Sequence, residues 1–154
     1  MKETRVRLAQ PADREQMAQM RAALWPESSA EEHAQELGLI LSGKFPAVMP
    51  LVIFVSTESN GTLTGFLEAG LRSCADGCEP SRAVGYVEGW YVVEGWRKQG
   101  IGAELLRAAE DWARSQGCVE MASDTAIDNL ESQRAHEALG FKMVERSVLY
   151  RKAL

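Results

Sequence analysis

Apolar residues change their spacing several times along this chain, and each change marks an element. Val6-Arg7-Leu8 alternates as a short first strand. Pro11-Ala12-Asp13 opens a helix in which Met17, Met20 and Leu24 recur at helical spacing. Leu24-Trp25-Pro26 ends it, because the residue before a proline is pushed out of the α region. Ser28 or Ser29 caps a second helix, with Glu31 and Glu32 in its first turn, Leu37, Ile40 and Leu41 facing inward, and Gly43 as its stop. Residues 51–55 and 63–71 read as strands joined through Asn60-Gly61 as a hairpin. Residues 73–82, with glycine, proline, acids and two cysteines, read as an exposed connection. A strand over 84–93 follows, then a glycine turn and a helix over 103–115 with the stripe Leu105, Leu106, Ala109, Trp112 and Ala113, closed by Gly117. The pattern ends with a strand at 118–123, a loop over 124–130, a last helix running to Leu139-Gly140, and strands at 141–144 and 147–150. Strands that cluster ahead of a βα–βα ending predict an α/β (α+β) fold, a mixed sheet with helices on both faces.

No repeat, low-complexity segment or linker interrupts the 154 residues, so one domain is expected over 1–154. A chain of this length buries roughly two-thirds of its unfolded surface without staples. Its 45% hydrophobic and 25% charged residues are ordinary for a soluble protein. No apolar run approaches the ~18 residues of a membrane helix, and no apolar stretch follows the first residues as a secretory signal would, so a cytoplasmic protein is expected. Cys74, Cys78 and Cys118 are an odd count without zinc-finger partners and read as reduced thiols; no metal is expected. The net charge of −5 and the lack of a basic face argue against nucleic acid and favour a cationic small molecule.

The most informative stretch is Arg97-Lys98-Gln99-Gly100-Ile101-Gly102, between the strand at 84–93 and the amphipathic helix. Helix N-termini leave N–H groups without intrahelical partners, the helix dipole favours negative charge there, and glycine permits close backbone approach, so this turn suits phosphates. The P-loop string Gly-x4-Gly-Lys-Ser/Thr is absent, and the three glycines of the dinucleotide fingerprint do not occur. The remaining pattern, Arg-x-x-Gly-x-Gly after a strand, resembles the pyrophosphate loop of the GNAT-superfamily acetyltransferases. That resemblance implies acetyl-CoA as cosubstrate and an amine as acceptor, on a mostly antiparallel twisted sheet that splays in the middle.

A second stretch, Asn129-Leu130-Glu131 through Ala135-His136 to Leu139-Gly140-Phe141, resembles the family's other signature, in which an Asn reaches the pantetheine arm and a Tyr lies beside the thioester sulfur. Here His136 takes the Tyr position; it reads equally as a general acid and as a packing residue. Tyr150 is a second possible donor. Further features are similar to the bacterial aminoglycoside 6'-N-acetyltransferases: Leu24-Trp25-Pro26, Glu88-Gly89, Glu120-Met121-Ala122-Ser123-Asp124-Thr125, the His136 substitution itself, Ala138-Leu139-Gly140-Phe141, Glu145-Arg146 and Tyr150-Arg151-Lys152. The resemblance implies that Trp25, Glu88, Asp124 and Glu145 contact the aminoglycoside. It implies that Trp90, Tyr91, Val92, Arg97, Lys98, Gln99, Gly100, Ile101, Gly102, Ala103 and Asn129 hold acetyl-CoA, and that the protein is a homodimer. A substrate-touching aromatic found in relatives has no counterpart in 73–82, which lacks a Tyr.

Chemically, a polycationic sugar calls for carboxylates and a flat ring surface, which Glu88, Asp124, Glu145 and Trp25 supply. Asp124 is the expected base for the attacking amine and Glu88 the residue that fixes it, with the roles exchangeable. A solvated outward Glu88 and a turn-forming Asp124 are the competing readings. Another polyamine, amino sugar or protein amine is an alternative acceptor, and a non-catalytic acyl-CoA-binding module is an alternative role.

Overall fold

The structure, a computed structural model, describes residues 3–154. Its elements run β1 (Thr4–Leu8), α1 (Arg14–Leu24), α2 (Ala30–Leu41), β2 (Leu51–Glu58), β3 (Leu63–Arg72), β4 (Val84–Val92), α3 (Ile101–Ser115), β5 (Met121–Ser123) and α4 (Leu130–Ala138), with short 3-10 turns at Pro11–Asp13 and Glu94–Trp96. The strands lie in the sheet in chain order, β1-β2-β3-β4-β5. The first three junctions are antiparallel, and β5 joins β4 in parallel after the α3 crossover.

Strand alternation divides the core between two faces. Phe66 points to α1 and α2, where it meets Met17, Leu37, Ile53 and Val55. Its neighbour Leu67 points the other way, to Leu105, Leu106 and Ala109 of α3. Phe66, Met17, Leu37, Leu67 and Leu105 are wholly buried. Each such side chain contributes about 1.5–3 kcal/mol relative to exposure, so the two faces clamp β3 as the rigid centre of the sheet. Ser29 caps α2 by accepting from the Glu32 N–H at 3.2 Å, while the Glu32 carboxylate accepts from the Ser29 N–H at 2.7 Å.

Two expectations need correction. The strand expected over 118–123 shrinks to Met121–Ser123. The segments 141–144 and 147–150 form no strand, and Val148, Leu149 and Tyr150 are 73%, 90% and 92% exposed. Their alternation marks them as extended, but a strand exists only where an edge pairs with it, and among the described residues none does.

Candidate active site

The register between β3 and β4 decides where the site forms. Glu68 faces Gly89 and Ala69 faces Val87, so Glu88 is an extra residue on β4 without a partner on β3. A bulge of this kind bends the strand and re-aims the inserted side chain. On its other edge β4 pairs with β5 only from Gly85↔Met121 to Val87↔Ser123. Glu88 and Asp124 are therefore the next residues on two strands that part company, and the fork places a carboxylate on each prong. Beyond it, residues 88–92 keep β3 on one side, and their alternate N–H groups on the other side have no strand to pair with.

Neither carboxylate is bare. Arg72, the last residue of β3, donates through Nε to Glu88 Oε1 at 3.0 Å and through Nη2 to Oε2 at 2.8 Å. Its guanidinium carbon lies 3.4 Å from the centre of the Tyr86 ring, and the Tyr86 hydroxyl donates to Asp124 Oδ2 at 3.0 Å. Burial, then the hydrogen bond to Asp124, pushes the Tyr86 phenol up to about 12. The Glu88 bonds raise the Arg72 guanidinium above its ordinary value. Both Arg72 and Glu88 reach the surface, with side chains 44% and 41% exposed.

Trp25 forms a wall of this fork. A Cβ on Gly89 would lie 2.5 Å from Trp25 Cη2 and 2.7 Å from Cζ2, so only glycine lets the indole rest on β4. The ring also meets Phe66 edge-on, with centroids 6.3 Å apart. Its half-buried position suits the apolar face of a sugar.

Beneath Glu88 a cavity of about 270 Å³ runs between α1, α2, β2 and β3, lined by Arg21, Glu36, Phe45 and Glu68 among others. Buried Arg21 is shared by two acids: its Nη1 donates to Glu36 at 2.8 Å, and its Nη2 donates to Glu68 Oε2 at 3.3 Å. Its Nε is 2.8 Å from Glu68 Oε1 but misaligned for a hydrogen bond. Burial raises the Glu68 carboxyl to about 7 despite Arg21, and Glu36 adds to the rise.

At the far end of β4 the turn expected to hold phosphate has the backbone for it. Lys98, with φ 60°, and Gly100, with φ 85°, are left-handed residues around Gln99. Gly100 is the residue ahead of α3 and provides no side-chain cap, so the amides of Ile101, Gly102 and Ala103 face outward from the helix tip. Arg97 Nε donates to the Val92 carbonyl at 2.9 Å, tying the turn to the strand end, and Arg97 lies 5.6 Å over Tyr91. Gln99 Nε2 donates to the Gly95 carbonyl at 3.3 Å. Gly102 packs on the Trp90 indole, whose Nε1 is buried without a hydrogen-bond partner.

Asn129 caps α4, its Oδ1 accepting from the Ser132 N–H at 3.0 Å, which leaves its amide N–H2 for a ligand. His136 lies against Trp90 and Phe141, each 5.2 Å between ring centroids. Its Nδ1 is 2.7 Å from the Ser132 carbonyl and must donate there. Its Nε2 is 2.7 Å from Ser123 Oγ, one residue before Asp124. With Nδ1 donating to that carbonyl, Nε2 of a neutral imidazole is the acceptor for the Ser123 hydroxyl.

Two expected residues lie apart. Glu145 sits in the exposed terminal segment, beside Val144, which packs on Gly77 of the 73–82 loop; no described contact links it to Glu88 or Asp124. Tyr150 is 92% exposed, with no described role as a donor. Reading the sequence missed Arg72, Tyr86, Arg21 and Glu68. For Glu68 a signal existed: an acid inside the otherwise apolar run 63–71 needs a buried cation.

Comparison with known proteins agrees with this geometry. The acetyltransferase (GNAT) family model matches residues 14–141. An aminoglycoside N(6')-acetyltransferase type 1 of Klebsiella aerogenes is 40% identical over 97% of this chain and 96% of its own length. One of Serratia marcescens is 43% identical over 88% and 89%. Among solved structures, AAC(6')-Iy in complex with the bisubstrate analog CoA-S-monomethyl-acetylneamine superposes with a TM-score of 0.86 at 33% identity, covering 99% of both chains. A forked β4/β5 edge, a phosphate-ready turn at the tip of α3 and this breadth of similarity agree: the chain belongs to the GNAT family of acetyltransferases.

Proposed function

We propose that this protein transfers the acetyl group of acetyl-CoA to the 6'-amino group of aminoglycoside antibiotics, by direct attack in a ternary complex, and so confers resistance to them. The observation that carries the reading is the pair of carboxylates at the fork, Glu88 and Asp124, beside the Trp25 indole. Polycationic rings need that combination of charge and flat apolar surface.

Acetyl-CoA supplies the activated acyl group. The turn Arg97–Ala103 offers its helix-tip amides and cations to the diphosphate, and Asn129 offers an amide to the arm. The open edge of β4 at Trp90–Val92 supplies N–H groups to polarise the acetyl carbonyl. Glu88 fixes the incoming ammonium. Asp124 accepts its proton, directly or through water, because an ammonium has no lone pair with which to attack. The thiolate of CoA, with a thiol pKa of roughly 8.5, departs without needing a proton from the site and takes one from water.

A second copy of the chain fits the exposed terminal segment: Val148, Leu149 and Tyr150 have strand-like alternation and no partner edge among the described residues, and a homodimer would provide one. The cosubstrate is an intracellular metabolite, and all three cysteines are unpaired, which fits action in the reducing cytoplasm.

The test is thiol release from acetyl-CoA with kanamycin, tobramycin, spermidine and a lysine peptide as acceptors. Turnover with kanamycin and tobramycin, acetylated at the 6'-amine by mass and NMR analysis, is expected. Turnover confined to spermidine or the peptide would reject the aminoglycoside reading, and CoA binding with no turnover would mark a sensor.

A further inference from the structure

We infer that Arg72 is a built-in surrogate for the substrate ammonium, a guanidinium that occupies the acidic fork until a stronger cation displaces it. The inference rests on the aminoglycoside reading of the same site and adds to it a uniform cost of entry that every amine must meet. Both oxygens of Glu88 are taken by Arg72, at 3.0 and 2.8 Å. The same guanidinium stacks at 3.4 Å on Tyr86, whose hydroxyl is committed to Asp124. An amine entering between the two acids therefore meets a cation already in place.

Displacement is structurally easy. Arg72 ends β3 and adjoins the irregular loop 73–82, and the Glu88 pair is half-exposed, so water reaches both charges as the pair opens. Arg72 needs only to swing outward, its charge remaining solvated. Every amine bears the same displacement cost, and acceptors with several charges and a ring for Trp25 recover it best. Arg72 thus raises the KM of every amine alike, and only acceptors that bind strongly elsewhere in the site are acetylated at low concentration.

The experiment compares the parent with Arg72→Gln, and uses Arg82→Gln, a cation facing Glu79 on the same loop, as control for general charge. Removing the surrogate is expected to lower the KM for kanamycin and for spermidine by the same factor, about fivefold, with kcat and acetyl-CoA KM unchanged. Arg82→Gln should change them less than twofold. Millimolar guanidinium should restore the parent's higher KM in Arg72→Gln, acting competitively with the amine, and leave the parent unaffected. In the parent, the NMR signal of the Arg72 Nε–H, held by Glu88 in the free protein, should exchange-broaden when kanamycin is added. A raised KM or lowered kcat in Arg72→Gln, or an Arg72 signal unmoved by bound amine, would show that Arg72 instead braces Glu88 in its working position. A parent that acetylates only spermidine defeats the aminoglycoside reading, while the spermidine arm still decides the role of Arg72.

Discussion

The buried acid Glu68 gives a sharp test of the charge arrangement under the site. Its carboxyl moves from an ordinary value of 4.5 to about 7, chiefly through burial, with Arg21 opposing and Glu36 reinforcing the rise. Between those two values the native state binds a proton that the unfolded chain releases. Stability therefore falls as pH rises through the window from about 4.5 to about 7, and above it the penalty is complete. A displacement of that size corresponds to about 3 kcal/mol at about 1.4 kcal/mol per pH unit. Glu68→Gln keeps the shape and an acceptor for Arg21 but cannot ionise. Its absolute stability combines relief of this penalty with weaker pairing of a buried cation, effects of opposite sign. The pH dependence separates them. Urea unfolding of parent and variant at pH 5, 6, 7 and 8 should show the parent losing about 3 kcal/mol relative to the variant across the series. Asp13 does not interfere. Although burial opposes it, hydrogen bonds from Arg7 and the Gln10 amide hold that carboxyl below its ordinary 3.8, so its contribution is present at pH 5 and lost only at lower pH. A difference curve that is flat, or that rises with pH, would refute the reasoning and mean that Arg21 outweighs burial.

Gly89→Ala drives a methyl to within 2.5 Å of the Trp25 ring. Overpacking of this kind costs about 1–3 kcal/mol, and the displaced indole should raise the aminoglycoside KM about tenfold while the acetyl-CoA KM stays near the parent's. Gly100→Asp places a carboxylate and a strained φ of 85° at the helix tip, so calorimetry should show acetyl-CoA affinity falling by about tenfold or more. Leu149→Arg puts a charge on the exposed terminal segment, and sedimentation should show a concentration-dependent shift from dimer towards monomer; an unchanged dimer would place the contact elsewhere.

Local signals were legible where local chemistry decides the outcome. Ser29 and Glu32 close a capping box, Asn60-Gly61 turns a hairpin, and Gly100 bends into α3 because only a few residues away lie the groups that satisfy them. The glycine turn, the site's most recognisable part, is of this kind. The bulge at Glu88 is not: residues 84–93 read as one continuous strand, and the extra residue emerges only when Glu68 and Ala69 choose their partners across the sheet. Arg72 and Tyr86 were missed for a related reason. A cation at a strand end and a Tyr in an apolar strand are ordinary until the fold brings them beside Glu88 and Asp124. The terminal segment shows the opposite failure, since 147–150 has strand composition and pairs with no edge among the described residues.

The same contacts bear on which acid takes the proton. Glu88 has both oxygens engaged by a guanidinium, and any cation that replaces Arg72 there inherits the same two acceptors, which suits Glu88 to holding a charge. Asp124 has Oδ2 occupied by the Tyr86 hydroxyl, and that phenol, pushed up to about 12, stays a donor throughout the working pH range. Its Oδ1 remains for the amine. That hydrogen bond fixes the direction in which Asp124 presents its other oxygen. Tyr86→Phe should then leave the carboxylate in place but worse aimed, lowering kcat by about tenfold with the acetyl-CoA KM unchanged. Asp124→Asn, which lacks a basic oxygen, should lower kcat by about 100-fold or more. If Asp124→Asn keeps the parent's kcat while Glu88→Gln loses it, the proton goes to Glu88, and the assignment of the two prongs is reversed.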